Sequence, residues 1–154
     1  MMAKRDVAVR AATRKQFPHL VRDVKSFPVR DGEEPWTVEE VEELAHGLIE
    51  ENARLQVEFA AADQELSALL RDSGDGSGDD QADSGSSALE RDQELTLVNN
   101  TRDLLAQNSR ALDRIAAGTY GVCESCGKAI GKARLQAFPR ATLCIDCKQR
   151  EERR

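Results

Sequence analysis

No apolar run in this 154-residue chain approaches the roughly 20 residues needed to cross a bilayer. The opening stretch Met1–Val9 is charged and carries no apolar core of the kind that marks a secretory signal. Neither a membrane protein nor an exported one is therefore expected, and the expected compartment is the cytoplasm. Large apolar side chains are scarce too, with one Trp, one Tyr and four Phe against 32% charged residues. Such a chain cannot assemble a large core; it must lean on long helices or a bound metal, or leave part of its length solvated. Histidine is nearly absent: His19 and His46 stand alone, and His46 reads as a solvated side chain on a helix. No nucleophile–base pair and no phosphate-cradling loop is legible, so an enzyme is not expected.

Cysteine is missing from everything before position 123, and then appears as two C-x-x-C pairs. Cys123-Glu-Ser-Cys126 and Cys144-Ile-Asp-Cys147 stand seventeen residues apart, within the spacing of a four-cysteine zinc site. Two residues between cysteines let both sulfurs of a knuckle face one ion, and Gly127 supplies a residue for the sharp turn after the first knuckle. In a reducing compartment paired thiols favour metal over a disulfide. Four thiolates close a tetrahedral shell, which predicts one structural Zn2+ per chain and no catalytic metal. A rubredoxin-like iron centre shares the spacing but lacks an aromatic shell here. A thioredoxin-like redox pair lacks a surrounding βαβ pattern.

Upstream, the pattern is helical. Thr37 and Glu40 form a capping box, and Trp36 and Val41 flank it as a hydrophobic staple. Apolar positions then step by four and three through Val41, Ala45, Leu48, Leu55, Phe59, Ala62, Leu66 and Leu69, with Asn52 the one polar member. This is a heptad seam that requires a partner helix. The helix is expected to end near Arg71. Residues 72–87 contain fourteen Asp, Ser or Gly among sixteen, which predicts a flexible acidic loop. Ser87 and Glu90 repeat the capping box and open a second helix, whose apolar series are Leu97/Leu104/Ala111 and Val98/Leu105/Leu112. Gly118 is the expected stop. Two such helices joined by a loop pack antiparallel.

The expected fold is therefore mainly α: a long antiparallel coiled-coil hairpin at 37–117, then a small four-cysteine zinc finger with a short final helix at 118–154. Residues 1–36 read as a basic, disordered leader. A monomer is expected, with dimerisation of two hairpins into a four-helix bundle as the alternative. Charge is segregated along the chain: residues 1–30 carry +6, residues 31–100 carry −17, and residues 101–154 carry +5. So acidic a middle is repelled by bare nucleic acid, and any contact with it falls to the ends.

The run GTYGVCESCGKAIGKARLQAFPRATLCIDCK, Gly118 to Lys148, together with the helical hairpin and acidic tip before it, resembles the DksA/TraR family. The resemblance covers about Thr37 to Gln149. It implies a transcription regulator that binds RNA polymerase, inserts the coiled coil into the secondary channel and recognises no specific DNA sequence. It also implies that tip carboxylates reach the polymerase active site. The family's Asp-x-x-Asp-x-Ala motif is matched by Asp80-Gln-Ala-Asp83-Ser-Gly85, so Asp80 and Asp83 are the expected tip residues. The positions that would help bind ppGpp are Gln107, Phe138 and Lys148. Only Lys148 is basic, so synergy with ppGpp is not expected. The competing reading is a zinc-ribbon adaptor that binds nucleic acid or the ribosome through its basic termini.

Overall fold

The computed structural model describes residues 13, 15–18, 24–74 and 81–154, with backbone alone at 73–74 and 81–84. Helix α1 spans Val38–Gly74 and helix α2 spans Gln81–Ala117. Two short helices follow, α3 at Lys132–Ala137 and α4 at Ile145–Glu152, and a single 3-10 turn at Val24–Ser26 precedes α1. Among the described residues the only β pairing is an isolated antiparallel bridge between Val122 and Ala129. No helix among them is long and apolar enough to cross a membrane.

The start of α1 follows its sequence. The Thr37 hydroxyl accepts the Glu40 N–H at 3.2 Å, and the Glu40 carboxylate accepts the Thr37 N–H at 3.0 Å. Two of the donors that every helix leaves unpaired at its first turn are thereby satisfied. At the far end of α2, Gly118 adopts φ +74°, the left-handed conformation that stops a helix at little cost in glycine.

α1 and α2 pack antiparallel. Residues 41–48 of α1 share a core with Ala111 and Ile115 near the end of α2, while Phe59, further along α1, meets Arg102, earlier in α2. The chain divides into two compact units, Glu51–Ala106 and the paired stretches Met1–Glu50 and Gln107–Arg154. In the first, Leu55 and Ala62 of α1 and Val98 and Thr101 of α2 are buried, and the Arg102 guanidinium lies 5.7 Å from the centre of the Phe59 ring. In the second, the core unites Leu48, Ile115, Tyr120, Ile130 and Leu135 with residues from ahead of α1.

Three features differ from the sequence reading. The acidic loop is shorter than 72–87: α1 continues to Gly74 and α2 begins at Gln81, so Ser87 lies inside a helix and caps nothing. Extending a nucleated helix needs no second nucleus, so the few tenths of a kcal/mol that Ser or Asp costs relative to Ala and the roughly 1 kcal/mol of Gly85 are tolerated within α2. The remaining expected loop, residues 75–80, lies outside the described residues.

Second, the leader is not uniformly solvated. Phe17, Val24, Phe27 and Trp36 are buried in the main core, because a domain with so few aromatics gains most by burying those it has.

Third, the buried positions of α2 are Val98, Thr101, Asn108, Ala111 and Ile115, with Leu104, Leu105 and Leu112 half-buried, whereas Leu97 stays 47% exposed. Thr101 and Asn108 qualify because their polar ends are satisfied. The Thr101 hydroxyl donates to the Leu97 carbonyl at 2.8 Å, and the Asn108 side-chain carbonyl accepts from Arg140 at 3.3 Å. Polar groups at seam positions fix the pairing of two helices at some expense of stability.

The capping assignments separate two outcomes. Thr37→Ala should destabilise the protein by about 1 kcal/mol, as loss of an N-cap does. Ser87→Ala, inside α2, should be neutral or stabilising by a few tenths of a kcal/mol. Denaturant unfolding of both variants checks this; an equal loss at Ser87 would place the helix start there.

Candidate metal centre

The first knuckle is a tight turn closed by backbone bonds. The Cys123 N–H donates to the Lys128 carbonyl at 2.8 Å, the Gly127 N–H to the Cys123 carbonyl at 3.0 Å, and the Ile130 N–H to the Gly121 carbonyl at 2.8 Å. Gly127 takes φ +72°, the conformation its position after the knuckle predicts. The second knuckle is built differently. Cys144 is the N-cap of α4 and Cys147 lies in its first turn. A thiolate there meets the positive end of the helix dipole and unpaired N–H groups, both of which favour it. The residues between the knuckles contain α3.

The two knuckles are tied to each other and to α2. The Cys144 N–H donates to the Cys123 sulfur at 3.3 Å, and the Glu124 N–H to the Thr142 carbonyl at 2.9 Å. Arg114, in the last turn of α2, pairs with Glu124. Tyr120 is buried beneath, and its hydroxyl donates to the Pro139 carbonyl at 2.9 Å. Burial pushes that phenol well above its usual range, with Arg114 pulling weakly the other way.

All four sulfurs, those of Cys123, Cys126, Cys144 and Cys147, lie within 4.8 Å of one another. Cys123, Cys144 and Cys147 are buried and Cys126 is exposed. A tetrahedral zinc with bonds of about 2.3 Å requires sulfurs about 3.8 Å apart. The Cys126–Cys144 separation is 3.8 Å, far beyond a disulfide bond of about 2.05 Å. The donor set and its spacing therefore fit one zinc ion.

The protonation balance also suits a cation. Burial raises the Cys123 thiol, but the N–H groups of Cys126, Cys144 and Ser125 outweigh it and bring the group down to about 6. At Cys147 the Ser125 hydroxyl favours the thiolate, yet the crowding sulfurs of Cys144, Cys126 and Cys123, with burial, push it up to about 11. Sulfurs this close cannot all carry charge unless something positive sits between them.

The other sequence-derived positions are not gathered in this way. Asp80 lies outside the described residues, and Asp83 is the third residue of α2, described by its backbone alone. Gln107 is exposed on α2, Phe138 is 62% exposed beyond α3, and the Lys148 ammonium sits 3.2 Å from Glu151 and 3.9 Å from Glu152 on its own helix. Sequence reasoning missed Lys132, whose ammonium lies 2.8 Å from Glu40 and 4.9 Å from the centre of the Trp36 ring. The Lys132 hydrogen bond, Lys132 charge and the Thr37 N–H lower the Glu40 carboxyl against the opposing effect of burial. Nothing in the local pattern around Lys132 signals a partner so distant in the chain.

Residues 118–153 match the prokaryotic dksA/traR C4-type zinc finger family. General stress protein 16O of Bacillus subtilis is 31% identical over 113 residues, covering 71% of this chain and 67% of that protein. A solved structure, transcription factor DksA2 from Pseudomonas aeruginosa, superposes with a TM-score of 0.61 at 33% identity, covering 75% of this chain and 84% of the other. The chain belongs to the DksA/TraR family. The RNA polymerase-binding transcription factor DksA of Caulobacter vibrioides is 43% identical over 75 residues, which is 49% of this chain. The match spans about half of that relative's length, 53%.

Zinc binding in this family member should be strongly pH-dependent. Neighbouring sulfurs and burial push the Cys147 thiol up, so binding must displace a proton there, whereas surrounding N–H groups hold Cys123 below the usual thiol range. Affinity should fall as pH falls, because protons compete with the metal for the thiolates. Chelator competition as a function of pH measures it; an affinity independent of pH would contradict four thiolate ligands. Cys126→Ser should lower the zinc content below one ion per chain by elemental analysis.

Proposed function

We propose that this chain is a non-enzymatic transcription regulator that binds RNA polymerase and places the tip of its helical hairpin in the secondary channel. The observation that carries this reading is one chain joining an antiparallel hairpin to a four-cysteine module, with similarity to the transcription factor DksA2 over 75% of the chain and to an RNA polymerase-binding transcription factor over 49% of it. The closed set of four thiols leaves zinc no open position, so the metal acts by holding the module together. Charge supports the docking mode: with −17 over residues 31–100, the hairpin is attracted by a basic channel and repelled by free nucleic acid. That repulsion also weighs against the zinc-ribbon adaptor.

In this reading Asp80 and Asp83 are the residues that act. Inside a polymerase channel water is scarce and their charge is felt strongly by basic groups or by bound magnesium. Affinity comes from the hairpin and the zinc module, and the tip matters after docking. Asp80→Asn with Asp83→Asn removes two charges at constant size. The double variant should keep its zinc and helicity and change polymerase affinity by less than about tenfold, or roughly 1.4 kcal/mol. It should lose most of its effect on open-complex lifetime. Pull-down of polymerase and a promoter-complex decay assay read the two properties separately; undiminished regulation would reduce the tip to a linker.

The positions offered to ppGpp are poor in positive charge. Gln107 and Phe138 are uncharged, and Lys148 is held by Glu151 and Glu152. A reconstituted initiation assay should therefore show little cooperation with the nucleotide. A large ppGpp-dependent gain abolished by Lys148→Ala would show that the chain rebuilds the site.

A further inference from the structure

Residues 24–36 are held against the four-cysteine module by bonds that converge on one helix end. Helix α3 begins after Gly131, which offers no side-chain cap. Its first N–H, that of Lys132, donates instead to Glu33 Oε2 at 2.8 Å, from a residue 99 positions earlier in the chain. The other oxygen of Glu33 accepts the Arg30 N–H at 2.9 Å and closes the turn that presents the carboxylate. Lys132 returns the contact: its ammonium donates to the Glu34 carbonyl at 3.2 Å, pairs with Glu40 at 2.8 Å and lies over the Trp36 ring. Phe27, Val24 and Trp36 complete a core with Ile130, Leu135 and Cys123.

The position of α3 depends in turn on both knuckles. Ile130, two residues before Lys132, is fastened to Gly121, and Lys128 to Cys123. On the other side, Arg134 of α3 donates to the Leu143 carbonyl at 3.0 Å, immediately before Cys144. An ion that draws the two knuckles together therefore also sets the helix end that Glu33 caps.

We propose that residues 24–36 are a strap whose docking is coupled to zinc occupancy through Glu33 and Lys132, so that loss of the ion releases the strap and exposes Trp36. Coupling of this kind is reciprocal: the factor by which zinc favours docking equals the factor by which docking favours zinc. The strap carries the end of the basic N-terminal stretch, so metal loading would also decide whether that charge is held beside the module. The inference rests on the zinc assignment and not on the polymerase reading.

Trp36 is the single tryptophan of the chain and is 2% exposed, so its emission reports strap docking directly. Lys25 is exposed between buried Val24 and Phe27, so trypsin should cut there only when the strap is free. The full chain should show a red-shifted Trp36 emission and rapid cleavage at Lys25 when zinc is chelated. Glu33→Ala, with all four cysteines intact, should weaken zinc by about fivefold or more in chelator competition, the lower end of typical coupling factors. It should also be cut faster at Lys25 while zinc-loaded. Glu34→Ala, which leaves the main-chain carbonyl in place, should behave as the parent. Should Glu33→Ala lose helicity, Glu33→Gln gives the same comparison with one acceptor retained. Unchanged zinc affinity in the Glu33 variants, or a chelated chain that keeps Trp36 buried and Lys25 protected, overturns the proposal. Neither result bears on polymerase binding.

Discussion

Four sulfurs from two knuckles converge within 4.8 Å, and much of the larger unit is arranged around that convergence. Each knuckle alone is short, the first a tight turn closed by backbone bonds and the second the start of the eight-residue helix α4. Their link to each other is a few backbone bonds and one N–H donated to sulfur, each worth only about 1 kcal/mol net. A structural zinc contributes on the order of 10 kcal/mol to folding such a module, so the ion outweighs any single contact around it. The buried side chains nearby, Tyr120, Ile130 and Leu135, then have a surface against which to pack. This is how a chain with six aromatic residues among 154 sustains a fixed core at the base of two long helices.

That core recruits from three distant parts of the sequence. Residues 17–36 supply aromatics, the facing ends of α1 and α2 supply small and aliphatic side chains, and the zinc module supplies the remainder. The helix ends are secured there by Arg114 to Glu124 and by Arg140 to Asn108. Lys132 links these parts, since it serves Glu34, Glu40 and Trp36 at once.

What the sequence made legible was local or strictly periodic. The knuckle spacing, the Thr37–Glu40 box, the glycines at 118 and 127 and the α1 seam all follow from a few adjacent residues or from one repeat. The misreadings share a different origin. Composition alone predicts a loop over 72–87, but helix propagation is cooperative and carries α2 back to Gln81. Thr101 and Asn108 do not read as seam residues, because their polarity is cancelled by partners that the local pattern does not reveal. The strap reads as a solvated leader because its apolar residues are scattered, and their destination lies about a hundred residues away. For the tip, Asp80 and Asp83 are legible only through the family motif, since acidic composition alone describes any solvated linker.

The division of charge gives these pieces a common sense. Net negative charge is concentrated in residues 31–100, most of them in the hairpin, while residues 1–30 and 101–154 are net positive. Within the larger unit the feature on which the packing depends is the cluster of four cysteines. Zinc K-edge absorption of the purified, reduced chain tests this most directly. The account predicts four sulfur neighbours at about 2.3 Å and no nitrogen or oxygen ligand. A shell with two sulfurs completed by nitrogen or oxygen, or a folded chain without bound metal, would contradict it.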